Sequence, residues 1–291
     1  MKKRILTIIV ILMILSGLSL LLYPTVSDYL NSLAYRQEIS DYTASVEKLD
    51  DESYKDLLAA ARAYNERLAA RGGQMADLSE ELREEYNGLL KTGSTDVMAY
   101  VSIPKVNIYL PIYHGTGDGV LQNGVGHLEG SSLPVGGPGT HCVLSAHTGL
   151  PSSKLFTSID RLEKGDTFTV RVLREVLTYE VDQILVVLPY ETDALRIEPG
   201  EDYCTLLTCT PYGINTHRLL VRGHRVPTPA GAEAETPPPI NIVEDILISK
   251  DGSFLHGLAM GVGLSAAVVL VLVVILLRRR MWKQAKRLKK K

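Results

Sequence analysis

Three side chains in the sequence have the types and surroundings that nucleophilic catalysis requires. Cys209 ends an apolar, strand-like run just before Pro211 and a glycine, so we expect its thiol at the mouth of a strand. The chain then turns back through a second strand-like run, where a hairpin can bring Arg218 beside Cys209. His147 ends another strand-like run, next to a loop rich in Gly and Pro, and such loops commonly carry functional residues.

Each of these residues also has an ordinary structural explanation. A single cysteine is most often a small buried apolar residue, and a histidine or arginine near a strand end is most often solvated. Arg222 shares a strand face with Arg218 but lies ~13 Å farther along. Among the other histidines, His141 shares the face of His147 six residues earlier, His217 faces away from Arg218, and His127 and His114 sit in glycine-rich segments that favour a structural role.

The cysteine and histidine spacing gives no sign of a metal site. The three cysteines are Cys142, Cys204 and Cys209, and no CxxC, HxH or HExxH string occurs. The candidate chemistry also requires no organic cofactor. An odd number of cysteines outside the membrane leaves at least one free thiol or an intermolecular bond.

Charge and hydropathy indicate a membrane protein with its central part exported. The net charge of −2 hides twelve basic residues in the two termini, which leave 19 basic and 33 acidic residues between them, a net charge of −14. Residues 5–23 and 257–277 are uncharged runs long enough to cross the ~30 Å hydrocarbon layer. Basic flanks predict that both termini are cytoplasmic and that residues 24–256 lie outside.

We interpret the first uncharged run, residues 5–23, as an uncleaved membrane anchor. The alternative is a cleaved signal peptide, but the apolar core of such peptides is usually ~7–15 residues and ends at a small-x-small site. Here the run is longer, and the Ser-Leu-Ala string at 32–34 lies eleven residues past its end. The composition of the chain, with 24 Gly, 3 Cys and 45% hydrophobic residues, excludes collagen-like, disulfide-scaffold and wholly disordered classes.

The exported part divides into helices followed by strands. Apolar residues recur at helical spacing over residues 35–91, with a break at Gly72 and Gly73. From residue 97 onward, short runs rich in β-branched and aromatic residues predict a mainly β domain, either a closed barrel or a sandwich. The predicted strands cover residues 100–103, 108–112, 140–146, 167–172, 177–187, 203–208 and 216–221, with a short helix at 151–162. A proline-rich spacer follows at 227–256.

Several strings in this domain resemble the sortase family. The Thr-Leu-Leu-Thr-Cys string that ends at Cys209, followed nine residues later by Arg218, resembles the TLxTC…R signature of sortases. Ser-Ala-His-Thr-Gly-Leu-Pro around His147 and the glycine-rich string at residues 124–137 extend the resemblance over residues 97–226. The paired spans and N-terminal helices resemble class C, the pilin-polymerising sortases.

The resemblance implies a closed eight-stranded sortase-type β-barrel with N-terminal helices and two flanking transmembrane helices. It implies that the Cys209 thiol attacks the Thr–Gly bond of an LPxTG-like sorting signal, that His147 serves as acid and base, and that Arg218 stabilises the oxyanion or orients the substrate. Thr208 and Thr148, next to the thiol and the imidazole, are the candidates for contacting substrate. The implied partners are surface proteins or pilins, an acceptor amine on a pilin lysine or a peptidoglycan precursor, and the lipid bilayer; nucleic acid is not among them.

The sequence departs from class C at the segment that covers the cysteine. Class C sortases usually carry an Asp-Pro-aromatic lid between the N-terminal helices, whereas residues 72–79 here have Asp77 but neither the proline nor the aromatic. Met75 and Leu78 are the candidates to replace the aromatic plug. If the strands before His147 and Cys209 are adjacent and parallel, as in the family barrel, Cys142 and Cys204 are neighbours that either fill space or form a disulfide.

The resulting domain plan places a cytoplasmic tail at 1–4, the first span at 5–23, a helical region with the lid at 24–96 and the catalytic barrel at 97–226. The spacer at 227–256, the second span at 257–277 and a basic cytoplasmic tail at 278–291 complete it. The function that follows is a membrane-anchored cysteine transpeptidase for pilus assembly. There are three alternatives. The first is a sortase that anchors proteins to the cell wall, the second is a plain cysteine protease, and the third is a catalytically inactive membrane scaffold that only binds sorting signals.

Overall fold

The structure is a computed structural model that describes residues 2–71, 78–93, 95–229 and 278. The chain divides into two compact units, and the described residues fall into them as 2–29 and as those from 30 to 229. The second unit contains the predicted barrel and the helices that precede it in sequence.

Helix α1, Lys2–Glu47, contains the first predicted span and continues well past it. Within the described residues, one helical segment, Ile9–Glu47, is long and apolar enough to cross a membrane, although a signal sequence can have the same character. The helix runs through Pro24, so it does not end where the predicted span of 5–23 ends. Pro24 removes one helical hydrogen bond, but Tyr35, Ile39 and Tyr42 then resume helical spacing and are buried. The second predicted span, 257–277, lies outside the described residues.

Two further helices precede the barrel, α2 at Asp51–Ala70 and α3 at Glu80–Gly88. Asp50 caps α2 by accepting a hydrogen bond from the Ser53 amide at 2.7 Å. The break between α1 and α2 at this point was not evident from the helical pattern of residues 35–91. Asn65 of α2 binds the Leu133 backbone in both directions, at 3.0 and 2.7 Å. This two-way contact ties α2 to the barrel.

Eight strands form a closed barrel, which confirms the barrel that the resemblance implies. They are β1 (Val97–Ile103), β2 (Ile108–His114), β3 (Val125–His127), β4 (Thr140–Ser145), β5 (Thr167–Val172), β6 (Glu175–Val187), β7 (Asp202–Thr210) and β8 (His217–Val226). Their order around the barrel is β1-β2-β3-β4-β7-β8-β6-β5. Two neighbouring pairs are parallel, β2 with β3 and β4 with β7, and the other pairs are antiparallel.

Two parts of the sequence interpretation need correction. Strand β3 and the short helix α4, Asp118–Asn123, were not predicted, because three-residue strands and single helical turns carry too little periodicity. The helix predicted at 151–162 is replaced by turns and a 3-10 turn at Ile159–Arg161. Leu155 has a φ of 42°, which is incompatible with an α-helix at this point.

Alternation along the strands separates a main core from a smaller outer cluster. Cys142, Leu144, Cys204 and Leu206 point into the main core. The intervening residues point outward, where β4, β7 and β8 and the β6–β7 connection share a second buried cluster built on Val143, Leu195 and Leu220. Cys209 is an odd-numbered residue of β7 and therefore belongs to this outer face.

Candidate active site

The thiol and the guanidinium of the predicted site lie on neighbouring strands. Cys209 and Arg218 are register partners across the antiparallel pair β7–β8, where neighbouring strands are ~4.8 Å apart. Both residues are half-buried. The hairpin geometry expected from the sequence is therefore present.

The predicted imidazole follows the strand on the other side of β7. Strands β4 and β7 pair in parallel register up to Ser145 opposite Leu207, and the Ala146 amide extends this pairing by donating to the Leu207 carbonyl at 3.2 Å. Continued for two more residues, this register would make His147 level with Cys209. Because β7 lies between β4 and β8, His147 and Arg218 would then lie on opposite sides of the thiol.

Several contacts hold the loop that begins at His147. The His147 carbonyl accepts a hydrogen bond from the Phe156 amide at 3.1 Å. Gly149, with a φ of +75°, lies so close to the Tyr212 ring that a Cβ at this position would be 3.0 Å from it. Tyr212 follows Cys209 in the β7–β8 turn, so this contact joins the loop of the imidazole to the loop of the thiol.

The two threonines predicted to contact substrate have different environments. Thr208 is buried in the inner face of the barrel, and its hydroxyl donates to the Ala146 carbonyl at 2.7 Å. This placement favours a link between β4 and β7 over the predicted contact with substrate. Thr148 is half-buried beside His147, and its contact with substrate stays a prediction.

The two arginines on the outer face of β8 differ in their partners. Arg222 binds both carboxylate oxygens of Asp182, at 3.1 and 2.7 Å, and stacks over the Tyr203 ring at 4.0 Å. Arg218 donates from Nη1 to the backbone carbonyls of Asn215 and His217, at 3.2 and 3.1 Å. Within the part of the chain that the structure describes, it forms no ion pair. Arg218 is thus the arginine whose charge is available beside Cys209.

The rival histidines are engaged in structural contacts. His141 is buried between the Arg196 carbonyl at 2.8 Å and the Thr205 hydroxyl at 2.7 Å, and burial lowers its pKa to about 4. His127 bonds the Tyr86 hydroxyl at 2.9 Å and the Ser132 carbonyl at 2.8 Å. Burial also lowers the pKa of His114 to about 4. Their placement agrees with the structural role expected of His127 and His114.

Of the three lid candidates, only Leu78 lies within the described residues; Met75 and Asp77 lie outside them. Leu78 is buried in the main core, just before α3. Burial of Leu78 in the core does not by itself place it over Cys209, so its role as a plug stays a prediction. Among the residues described, no group of three or more His, Cys, Asp or Glu side chains could hold a metal ion.

An apolar floor adjoins the thiol on the outer face. We define it as the outer cluster of Val143, Leu195 and Leu220 with the half-buried residues packed on it, which include Leu185, Val187 and Leu207. Leu207 precedes Cys209 by two residues on the same face, and Val187 is the register partner of Arg218. This floor was not predicted from the sequence, although adjacent apolar residues, Val143 with Leu144 in β4 and Leu206 with Leu207 in β7, are typical of strands buried on both faces.

The outer face thus combines a thiol, an imidazole, a guanidinium and an apolar floor, the arrangement of a cysteine acyl-transfer enzyme built on a β-barrel. The chain matches the sortase domain family over residues 101–226. It is similar to the crystal structure of sortase C1 from Streptococcus agalactiae, with 50% identity, a TM-score of 0.64 and coverage of 67% of this chain and 100% of that one. It is also similar to Clostridium perfringens sortase C solved with the C-terminal cell wall sorting motif, with 49% identity, a TM-score of 0.57 and coverage of 65% and 98%.

Curated relatives match over shorter segments. Sortase A of Streptococcus agalactiae is 31% identical over 123 residues, which cover 41% of this chain and 49% of that protein. Sortase D of Bacillus subtilis is 31% identical over 129 residues, 43% of this chain and 62% of that protein. The chain thus spans about half to three fifths of the length of these relatives. The chain belongs to the sortase family of cysteine transpeptidases, and its structural neighbours are class C sortases.

Proposed function

We propose that this protein is a membrane-anchored transpeptidase that cleaves an LPxTG-like sorting signal between Thr and Gly and transfers the acyl group to an amine. The observation that carries this proposal is the strand register: Cys209 is paired with Arg218 across β7 and β8, and β4, which leads to His147, pairs with β7 on its other side. No other thiol of the chain shares this face, because Cys142 and Cys204 point into the core.

The first half-reaction forms a thioester. The Cys209 sulfur attacks the threonine carbonyl, and the Arg218 guanidinium, with its forked donors, stabilises the oxyanion that develops. The threonine–glycine C–N bond then breaks, and His147 as imidazolium gives its proton to the leaving amine. The products are an acyl-enzyme on Cys209 and the free glycine-led peptide.

The second half-reaction reverses these roles. An incoming amine gives a proton to neutral His147 and attacks the thioester carbonyl, and Cys209 leaves as the thiolate. The half-buried position of the thiol supports this step, because the acceptor must reach a sulfur that is already acylated.

The apolar floor supports recognition of the sorting signal. A Leu-Pro pair whose proline and leucine precede the scissile threonine by two and three residues would lie along Leu207 and Leu220, next to the catalytic residues. Burial of a leucine side chain on such a surface contributes roughly 1.5–3 kcal/mol. The floor therefore favours substrates whose apolar residues precede the threonine.

We propose a pilin lysine as the acceptor and pilus assembly as the process. Similarity to sortases C over their full length supports this choice, and the crystal structure of one of them, from Streptococcus pneumoniae, provides insight into pilin substrate specificity. The apolar N-terminal helix supports a membrane anchor, and the basic termini support cytoplasmic ends with the barrel outside. A housekeeping sortase that anchors proteins to the cell wall is the second candidate, favoured by the similarity to sortase A.

The decisive experiment mixes the full chain in detergent with an LPxTG-type peptide and an amine, and follows intact mass. We expect an acyl adduct on Cys209 that disappears when the amine is added, with an amide product. The variant Cys209→Ala should give neither. Absence of the adduct in the wild-type chain would favour the non-catalytic scaffold, and hydrolysis without transfer would favour a protease.

A competition experiment separates the two acceptors. A lysine-bearing pilin domain and a peptidoglycan cross-bridge amine are offered together to the acyl-enzyme. Preferential formation of an isopeptide bond to the pilin supports pilus assembly. Preferential transfer to the cross-bridge amine would contradict it and support cell-wall anchoring.

A further inference from the structure

The two cysteines outside the active site face each other inside the barrel. Cys142 of β4 and Cys204 of β7 are register partners in the parallel pair, and both are free and buried. Neighbouring strands are ~4.8 Å apart, within the ~4.4–6.8 Å range of Cα separations that a disulfide spans. The sequence analysis left two explanations open, and the register makes the disulfide geometrically accessible.

The surroundings of the two thiols make them unequal. Burial opposes ionisation of Cys142, but hydrogen bonds with Cys204 and His127 outweigh it and lower the Cys142 pKa. Burial raises the pKa of Cys204, and its hydrogen bond to Cys142 adds to this effect. In the closed barrel, therefore, Cys142 ionises more readily than Cys204.

We propose that Cys142 and Cys204 form an intramolecular disulfide when the chain folds outside the cytoplasm, with a small-molecule or protein disulfide as the oxidant. One of the two cysteines, as the thiolate, attacks a sulfur of the oxidant and displaces one thiol. The other cysteine then loses its proton and attacks the sulfur of the mixed disulfide that belongs to the first cysteine, which displaces the second thiol. Two cysteine thiols become one disulfide, and the oxidant is reduced to two thiols.

Burial determines when this reaction occurs. Cys142 is 3% exposed and Cys204 is 0% exposed, so the oxidant reaches them before the barrel closes, and reductants are excluded afterwards. Cys209 does not compete within the fold, because it lies on the opposite face of β7. The inference rests on an exported barrel but not on the catalytic proposal.

The disulfide would fix the two strands that position the catalytic pair. Cys142 precedes His147 by five residues, and Cys204 precedes Cys209 by five. A covalent bond between them prevents one strand from slipping past the other, and such a slip would separate the imidazole from the thiol. It also closes a loop between residues 62 positions apart in sequence. This loop reduces the conformational entropy of the unfolded chain and so stabilises the fold.

The test counts thiols in the full chain exported by a bacterial host. Cys209→Ala removes the catalytic thiol. The membranes are quenched in acid, denatured, and treated with N-ethylmaleimide without reductant. We expect no label on this variant, and two labels after reduction. Two labels without reduction would overturn the proposal, whatever the outcome of the peptide-transfer assay.

A matched variant and a melting curve complete the test. Cys142→Ser combined with Cys209→Ala should take one label with or without reductant. Reductant present during unfolding should lower the melting temperature of the Cys209→Ala chain by ~5–10 °C, since a cross-link over this length stabilises the fold substantially. Reductant should not change the melting temperature of the double variant. An equal response of both chains would count against the disulfide even if labelling were incomplete.

Discussion

The outer face of β4, β7 and β8 carries two similar rows of side chains. Each row contains a histidine from β4 or its end, a nucleophile-type side chain from β7 and an arginine from β8. We call His147, Cys209 and Arg218 the catalytic row, and His141, Thr205 and Arg222 the closed row. Thr205 and Arg222 are register partners, as Cys209 and Arg218 are.

The rows differ in how many hydrogen bonds and ion pairs their side chains form with the rest of the protein. In the closed row, His141 bonds Thr205 and a backbone carbonyl, and Arg222 is held by Asp182. In the catalytic row, no hydrogen bond joins the side chain of His147 or Cys209 to another of the described residues. Similar residue types on one surface are therefore structural where the fold supplies partners and available to substrate where it does not.

The largest expected difference between the rows is at β7. Cys209→Ala should abolish thioester formation and transfer while leaving the free energy of unfolding nearly unchanged, because the thiol is half-buried and makes no hydrogen bond with the described residues. Thr205→Val should leave thioester formation and transfer intact and lower the free energy of unfolding. It removes the partner of the buried His141 imidazole and should cost about 1–3 kcal/mol of stability.

Acyl-enzyme mass and urea unfolding measure the two effects. Each variant serves as the control for the other, since the two positions lie on one face of one strand. Loss of the acyl-enzyme in a well-folded Thr205→Val chain would show that the closed row takes part in catalysis.

The arginines provide the next contrast. Arg218→Ala should lower kcat/KM by about 10²–10³ through loss of oxyanion stabilisation, with little change in melting temperature. Arg222→Ala should lower stability by about 1.5–3 kcal/mol, because its charged hydrogen bonds with Asp182 are lost. Steady-state kinetics and thermal melts of both variants separate the roles. Equal kinetic losses in two stable variants would refute the distinction.

Acid should destabilise the fold first through two buried histidines, His141 of the closed row and His114, before the carboxylates are protonated. Burial holds His141 and His114 neutral, with pKa values of about 4 against an unfolded value near 6.5. The folded pKa is depressed, so this stability is fully present above pH 6.5 and is lost as the pH falls toward 4. Each histidine should cost about 2 kcal/mol between pH 7 and 5.

The variant His141→Gln tests this assignment by urea unfolding at several pH values. The loss of stability between pH 7 and 5 should fall to about half of that in the wild-type chain, because His114 continues to contribute. A slope equal to that of the wild-type chain would show that His141 is not a source of the acid sensitivity.

Local patterns in the sequence predicted a mainly β domain, either a barrel or a sandwich, and the resemblance to sortases implied the closed barrel and the catalytic row. Strand alternation and the hairpin after Cys209 are short-range features, and they were sufficient to bring Arg218 beside the thiol. The closed row was not predictable, since the partners of His141 and Arg222 come from the β6–β7 connection and from β6, far away in sequence. Thr208 was assigned to substrate because it adjoins Cys209, but alternation turns it inward.

The smallest expected effect concerns this threonine. Thr208→Val removes the hydroxyl that bonds the Ala146 carbonyl, one residue before His147. We expect a loss of about 1 kcal/mol in stability and a fall in kcat of less than about tenfold, because the imidazole is held less firmly beside the thiol while its chemistry is intact. Thr208→Ser keeps the hydroxyl and should restore both values. If Thr208→Val matches the wild-type chain while Thr208→Ser is impaired, packing of the methyl group, and not the hydrogen bond, aligns the two strands.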